Sequence, residues 1–334
     1  MNVVAQEECP DFWEDFSRSH SDLLFHRAVW GDVLRQGYGW TPLYVWLEEN
    51  GKPILGFLGG IYNVGFMRML YASLPYGGLV GDSSRVADLV GLLGDALRDK
   101  RIHQVRLAEW GVRPELESLG FEAVELSAHR VNLAAYDEET YFKALPHSVR
   151  KNVKRSRREG LEISELTDRD EVVRVFELYA NSMARNGAAL KYSIGRFYAI
   201  FDVLRPLGLG TILVARHGDT IVSANALVRS DEIVHDVQLS HDHAYQHMRP
   251  TDAVMFGSIQ WAMAQGCHTF DFMASPKGDD NLGRFKAKWL ADDIPAATYI
   301  VTYSPLRARL WNLALRASGT RLGVWAVGVL RRVR

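Results

Sequence analysis

Asp271 and Lys286 are the first residues of this chain whose type and setting point to chemistry. Asp271 lies between Phe270 and Phe272 in His268–Met273, an alternating run that reads as a short buried strand. A carboxylate in such a run needs a partner or a task. A loop dense in turn formers follows, Ser275-Pro276-Lys277-Gly278-Asp279-Asp280-Asn281. After it comes a short basic helix, Gly283-Arg284-Phe285-Lys286-Ala287-Lys288-Trp289. Ala296–Tyr303 returns as a strand. This order sets Arg284 and Lys286 at the carboxyl edge of a sheet, where open sheets bind anionic substrates. No Ser-His-Asp or Cys-His signature offers a covalent nucleophile instead.

A second group of cations lies upstream. In His147–Arg158, the residues Lys151, Lys154, Arg155 and Arg158 are spaced i, i+3, i+4, i+7, so four charges share one helix face. Val149 and Val153 leave that helix a narrow apolar stripe. It reads either as a solvated surface helix or as a clamp for the phosphates of a nucleotide sugar, a lipid carrier or RNA. Lys191 and Tyr192, in the connection Asn186–Tyr192, and Asp236 stand as further substrate contacts. Asp236 and Asp271 are the candidate bases. His235, His241, His243 and His247 form the densest histidine cluster, in a polar, turn-like stretch. The run His-Ala-Tyr-Gln-His lacks the glutamate of the zinc-protease pattern, so no metal site is expected.

The elements that must position these groups repeat along the chain. Strands Pro42–Glu48 and Pro53–Tyr62 flank Asn50-Gly51, a strong hairpin signal. Strand Arg68–Leu74, helix Ser84–Lys100 and strand His103–Glu109 follow. Thr211–Arg216 and Thr220–Val228 form a second hairpin about Gly218, followed by strand Glu232–Leu239, helix Thr251–Gln265 and strand His268–Met273. Gly51 and His103 are 52 residues apart, and Gly218 and His268 are 50 apart. That spacing indicates a duplication, with domains at 1–135 and 136–303 and a basic amphipathic helix at 304–334. Between the repeats, Arg169–Arg185 and Ile194–Leu204 read as helices.

Composition bounds the function classes. The 334 residues are 47% hydrophobic and 24% charged, as in a globular protein with ample core. Cys9 and Cys267 are the only cysteines, which leaves no disulfide framework. Neither a signal peptide nor a membrane-spanning run is present, so a cytoplasmic location is expected. The net charge of −1 hides an asymmetry. Six cations at 150–158 and seven arginines after Ser304 account for 13 of the 39 basic residues, leaving 26 against 40 acids elsewhere. An acidic body with two cationic patches suits anionic partners. In the tail, Trp311, Trp325 and leucines lie among arginines, which fits an interfacial helix on anionic lipid or a helix packed on the protein.

The phrase FDFMAS, followed by a loop and GRFKAKW, resembles the closing signature of FemAB-like transferases. These are tandem members of the Gcn5-related N-acetyltransferase (GNAT) superfamily that form amide bonds on cell-envelope precursors. PHSVRKNVKRSRREGLEI is similar to the family's approach to its second domain. The family commonly has Gly after the Trp; here Leu290 and Ala291 follow Trp289. The resemblance implies an α/β protein with mixed sheets, two GNAT-like domains and a cleft between them. It also implies that Lys286 contacts the acceptor and stabilises the oxyanion formed as a neutral amine attacks an ester or thioester. The donor would be aminoacyl-tRNA or acyl-CoA, with no permanently bound cofactor. The acceptor would be an amine of a lipid- or nucleotide-linked envelope glycan, handled at the inner face of the membrane. The paired glycines of simple acetyl-CoA-binding relatives are missing from His247–Ala253, and Asp252 stands near the free helix amides. A non-catalytic lipid- or nucleic-acid-binding protein would use the same two basic patches.

Overall fold

The computed structural model describes residues 1–278 and 280–318. The first half runs β1 (Asn2–Gln6), α1 (Trp13–His20), α2 (Ala28–Tyr38), β2 (Thr41–Glu49), β3 (Lys52–Val64), β4 (Met67–Ala72), β5 (Val80–Gly81), α3 (Val86–Ala96), β6 (Gln104–Ala108), α4 (Glu115–Ser118) and β7 (Glu122–Asn132). Helices α5 (Glu138–Ala144) and α6 (His147–Arg158) lead into the second. That half runs β8 (Leu161–Glu165), α7 (Val172–Arg185), α8 (Gly195–Ala199), β9 (Gly210–His217), β10 (Thr220–Arg229), β11 (Ile233–His241), α9 (Pro250–Ala264), β12 (Thr269–Pro276), α10 (Asp280–Ala287), β13 (Asp292–Thr302) and α11 (Pro305–Ser318).

Among the described residues one mixed sheet takes all the strands, in the order β1-β2-β3-β4-β6-β13-β7-β12-β11-β10-β9-β8, with β5 on β3. The duplication is visible in it: β1, β2, β3, β4 and β6 are matched by β8, β9, β10, β11 and β12. In each set the fourth and fifth strands are parallel, β4 to β6 and β11 to β12. The closing strands are exchanged. β13, which ends the second half in sequence, pairs with β6 of the first, while β7 pairs with β12. β7 and β13 also pair with each other, which joins the two sets into one sheet. The sequence reading missed β1 and β8, the two edge strands; each is short and pairs on one side only.

Packing ties the halves together as firmly as the sheet does. One core runs through both, placing Trp13, Phe25 and Trp30 of the first half with Tyr179, Phe197 and Val214 of the second. Helix α2 meets α8 closely at Gly37, where a Cβ would lie 2.9 Å from that of Ala199. Two further cores follow the strand exchange: the one under α3 takes Ala297 and Tyr299 of β13, and the one between the sheet and α6 and α9 takes Val131 of β7 and Leu133.

A shared core and a shared sheet predict one cooperative unfolding transition. Trp13 is fully buried and its Nε1 donates to His26 O at 2.7 Å. Trp13→Ala should cost about 3–5 kcal/mol and shift the whole urea transition. Two separated transitions, with the second half unaffected, would contradict this account.

Candidate active site

The site begins where two parallel strands part. β11 and β12 pair only over Ile233–His235 and Thr269–Asp271. Beyond that, β11 stays with β10 while β12 follows β7 through an irregularity between Asp271 and Ala274. Met273, inside it, takes φ 62°, a left-handed conformation that costs a non-glycine residue about 1 kcal/mol or more. The parted strands leave an opening at their carboxyl ends. The matching edge of the first half is filled by its own chain: Gly77 and Gly78 both donate N–H bonds to Ala108 O, each at 2.9 Å.

A buried polar chain sits at the last paired residues. His235 Nδ1 and Asp271 Oδ2 are 2.9 Å apart, His235 Nε2 meets Ser230 Oγ at 2.9 Å, and Met273 N–H donates to Asp271 Oδ1 at 3.0 Å. Both side chains are fully buried. The first half covers His235 with Phe25, Tyr76 and Trp110. Arg130 of β7 lies over the Trp110 ring, with Nε 3.8 Å from Asp271 Oδ1. Burial pushes Asp271 up to about 8, His235 down to about 3 and Arg130 down to about 10, since each loses water around its charged form. Asp271, a candidate base by sequence, is thus fully buried, and its carboxyl group is held by His235 and the Met273 amide.

Asp236, the other candidate base, is the next residue along β11. Strand alternation turns it to the face opposite His235. It remains partly exposed, and its Oδ1 has no hydrogen-bond partner among the described residues. Burial raises it to about 7, against the pull of Lys286, Asn225 and Arg196. A carboxylate poised near neutrality can take a proton from an amine.

Lys286 does not project freely from α10. It is 4% exposed, and its Nζ donates to Met273 O at 2.7 Å and Ser275 Oγ at 2.8 Å. Its charge therefore sits on the irregular turn of β12, from where it acts on Asp236, Asp271 and His129. Arg284, two residues earlier on the helix, turns outward to Asn281 Oδ1 at 2.7 Å. It lines a separate hollow of about 390 Å³ with Ser127, His129, Ser275 and Asp293. Leu290 has φ 67°, the glycine-favoured conformation, at the position where the resemblance expects Gly.

The basic helix forms as expected, with Val149 and Val153 buried. Lys151 and Lys154, with His147, Arg150, Arg157 and Arg158, border an open hollow of about 500 Å³. Arg155 is not among them; it pairs with Glu159 at 3.3 Å. Helix α6 packs on α9, whose first turn holds Asp252. Asn152 and Lys288 bind that carboxylate at 3.3 and 3.1 Å, so this helix end already faces an anion of its own chain.

Lys191 and Tyr192 are brought together with residues that no sequence pattern singles out. Their N–H groups both donate to Tyr179 Oη. The buried Arg196 lies 3.8 Å from the Tyr192 ring centroid and donates to Val237 O at 3.0 Å, one residue from Asp236. Tyr38 of the first half meets Tyr192 at 5.8 Å, and Trp40 stacks on Tyr62 at 4.2 Å. Rings from both halves thus meet around Arg196. His243 and His247 lie on a 3-10 helix, His243–Met248, beyond the end of β11 and next to His217 of β9. Among the described residues, no group of three or more His, Cys, Asp and Glu could hold a metal ion.

Residues 147–287 match the family model described as an acetyltransferase (GNAT) domain. No protein of curated function matches the chain. Among solved structures, FemX has a similar fold, at a TM-score of 0.69 and 12% identity, with 92% of this chain and 99% of that one covered. L-PGS from Bacillus licheniformis follows at 0.57 and 14%, covering 90% and 93%. A tandem GNAT protein from the clavulanic acid biosynthesis pathway aligns at 0.54 and 9%, covering 78% and 82%. At these identities the structures show the fold alone, an α/β architecture shared with FemX and with a tandem GNAT protein, and the family model marks residues 147–287 as similar to a GNAT domain.

The Asp236 environment predicts a stability signature that needs no substrate. Its pKa is raised on folding, from an ordinary 3.8 to about 7. The folded chain therefore holds this proton more tightly, and stability falls as pH rises between about 4 and about 7. Asp236→Asn should raise the melting temperature by a few degrees at about pH 8 and leave it unchanged near pH 4. Equal melting curves at both values would mean that Asp236 is not in this environment.

Proposed function

We propose that this FemAB-like tandem GNAT chain transfers an acyl or aminoacyl group to an amine of a cell-envelope glycan precursor, forming an amide. The observation that carries the reading is the pairing, at the parted ends of β11 and β12, of a half-buried carboxylate raised to about 7 with a buried lysine. The acceptor nitrogen attacks the acyl carbonyl of an ester or thioester, and a tetrahedral oxyanion forms. The nitrogen's proton passes to Asp236. The C–O or C–S bond then breaks, and the leaving alcohol or thiol takes up a proton. Lys286 lends positive potential to the opening as negative charge develops, and its bonds to Met273 O and Ser275 Oγ hold the turn that keeps the strands apart.

The cations beside α6 and the rings around Arg196 divide the substrates between them in this reading. Six basic or histidine side chains along an open hollow suit a phosphate backbone, which supports aminoacyl-tRNA as donor. Asp252 within the first turn of α9 disfavours a second anion at the helix end where a pyrophosphate would sit. GNAT domains use acyl-CoA, so that donor belongs in the same assay. Lys191, Tyr192 and Arg196, with Trp40 and Tyr62, would hold the acceptor. A non-catalytic lipid- or nucleic-acid-binding role would leave the raised Asp236 without a purpose.

Purified chain should be offered each donor with an amino-bearing nucleotide sugar or glycolipid. Lys286→Met should lower turnover by roughly a hundred- to a thousandfold with little change in KM. Asp236→Asn should lose about a hundredfold or more. The wild-type rate should rise with pH to a plateau, with an apparent pKa near 7. Lys151→Ala with Lys154→Ala should instead raise KM and flatten its salt dependence, while Arg155→Ala changes little. Full activity in Lys286→Met would remove the lysine from the mechanism. Failure with every donor, together with tight RNA or lipid binding, would favour the non-catalytic role.

A further inference from the structure

Helix α11 lies on the first half by one side only. Trp311 meets Phe66 edge-on at 5.6 Å and sits over Gly65, where any Cβ would collide with its ring. Leu306, Leu310 and Leu313 remain 71%, 51% and 61% exposed. Their i, i+4, i+7 spacing lines them into one stripe along the helix. Phe66, at the β3–β4 turn, is itself 45% exposed and extends the apolar surface. Isolated exposed leucines are ordinary, but a continuous stripe marks a surface that meets something apolar.

Charge identifies what that something is. Arg307 and Arg309 are exposed on the same helix. Residues 304–334 hold seven arginines and no Asp, Glu or Lys, a charge of +7 in a chain whose total is −1, which leaves −8 on residues 1–303. A second copy docked through the same stripe would set these arginines against each other across a two-fold axis. A nucleic acid would use the arginines and leave the leucines in water. Anionic lipid takes both. Among the described residues no helix is long and apolar enough to cross a membrane, and a helix with one apolar stripe flanked by arginines suits the plane of a lipid surface.

We propose that α11 is an interfacial helix: the leucine stripe enters the acyl-chain boundary of an anionic lipid surface, and the arginines meet its headgroups. Trp311 fixes the helix to the body, so docking brings residues 1–303 to the lipid with them. The inference stands apart from the transfer reaction and holds whether or not that reaction is the right one.

The test is co-sedimentation of the full chain with vesicles of phosphatidylglycerol and phosphatidylcholine, against phosphatidylcholine alone. The chain should bind the anionic vesicles and release them as salt is raised. Leu306→Ser with Leu310→Ser and Leu313→Ser should weaken partitioning by at least about tenfold with an unchanged melting temperature, since these side chains are exposed. Arg307→Gln with Arg309→Gln should weaken it severalfold, and gives a separate readout should the leucine variant fold poorly. The proposal is overturned if wild type ignores anionic vesicles at low salt, or if both variants bind as wild type does. It is equally overturned if the leucine changes only dissolve a dimer.

Discussion

The parting of β11 from β12 is the constraint on which the rest of the structure depends, because a sheet gains hydrogen bonds by keeping its strands together. Here the chain gives up that pairing after His235 and Asp271, and several interactions hold the gap open. Met273 accepts a left-handed backbone, its carbonyl receives Lys286, and its amide is taken by Asp271. β7 holds the opposite edge of β12 on both sides of the irregularity, so β12 stays in the sheet after it leaves β11.

Local order was legible in the sequence, and relations across the chain were not. The hairpin at Asn50-Gly51, the helix of α3 and the repeat spacing all follow from turn chemistry and periodicity within a few residues, and the structure contains them. Edge strands β1 and β8 escaped because a five-residue strand with one partner carries little pattern. The exchange of β7 and β13 escaped because both alternate in the same way, and nothing in alternation says which neighbour a strand chooses.

The site divides along the same line. A carboxylate between two phenylalanines announced that Asp271 needed a partner, but that partner, His235, lies 36 residues earlier, where no local pattern points to it. Asp236, next to His235, faces the other way, because one step along a strand reverses the face. Lys286 was readable as a functional cation, yet its direction was not: a four-carbon stem on a short helix can point to solvent or inward, and buried acceptors on β12 decide the matter. Arg155 shows the reverse, since its spacing placed it on the cationic face and Glu159, four residues on, drew it aside. Arg196 gave no signal at all. Its meaning comes from Tyr192 and Val237, which only the fold brings beside it.

Duplication has left the halves chemically unequal, and the inequality explains how buried charge is tolerated at the opening. The first half fills its own strand gap with Gly77 and Gly78, and so has no comparable opening there. What it contributes instead is cover. Phe25, Tyr76 and Trp110 exclude water from His235, and Trp110 also carries the Arg130 guanidinium on its ring face. Excluding water raises Asp271 and lowers His235, so burial drives both toward their neutral forms. Arg130 lies close enough to Asp271 to offset whatever negative charge persists there. Behind the opening, then, charge is suppressed or matched. At the opening Asp236 is left with one oxygen unpaired and a lysine within electrostatic reach. A carboxylate stranded in this way destabilises the folded chain near neutral pH, and in the proposed reaction a bound amine would supply the proton that relieves this.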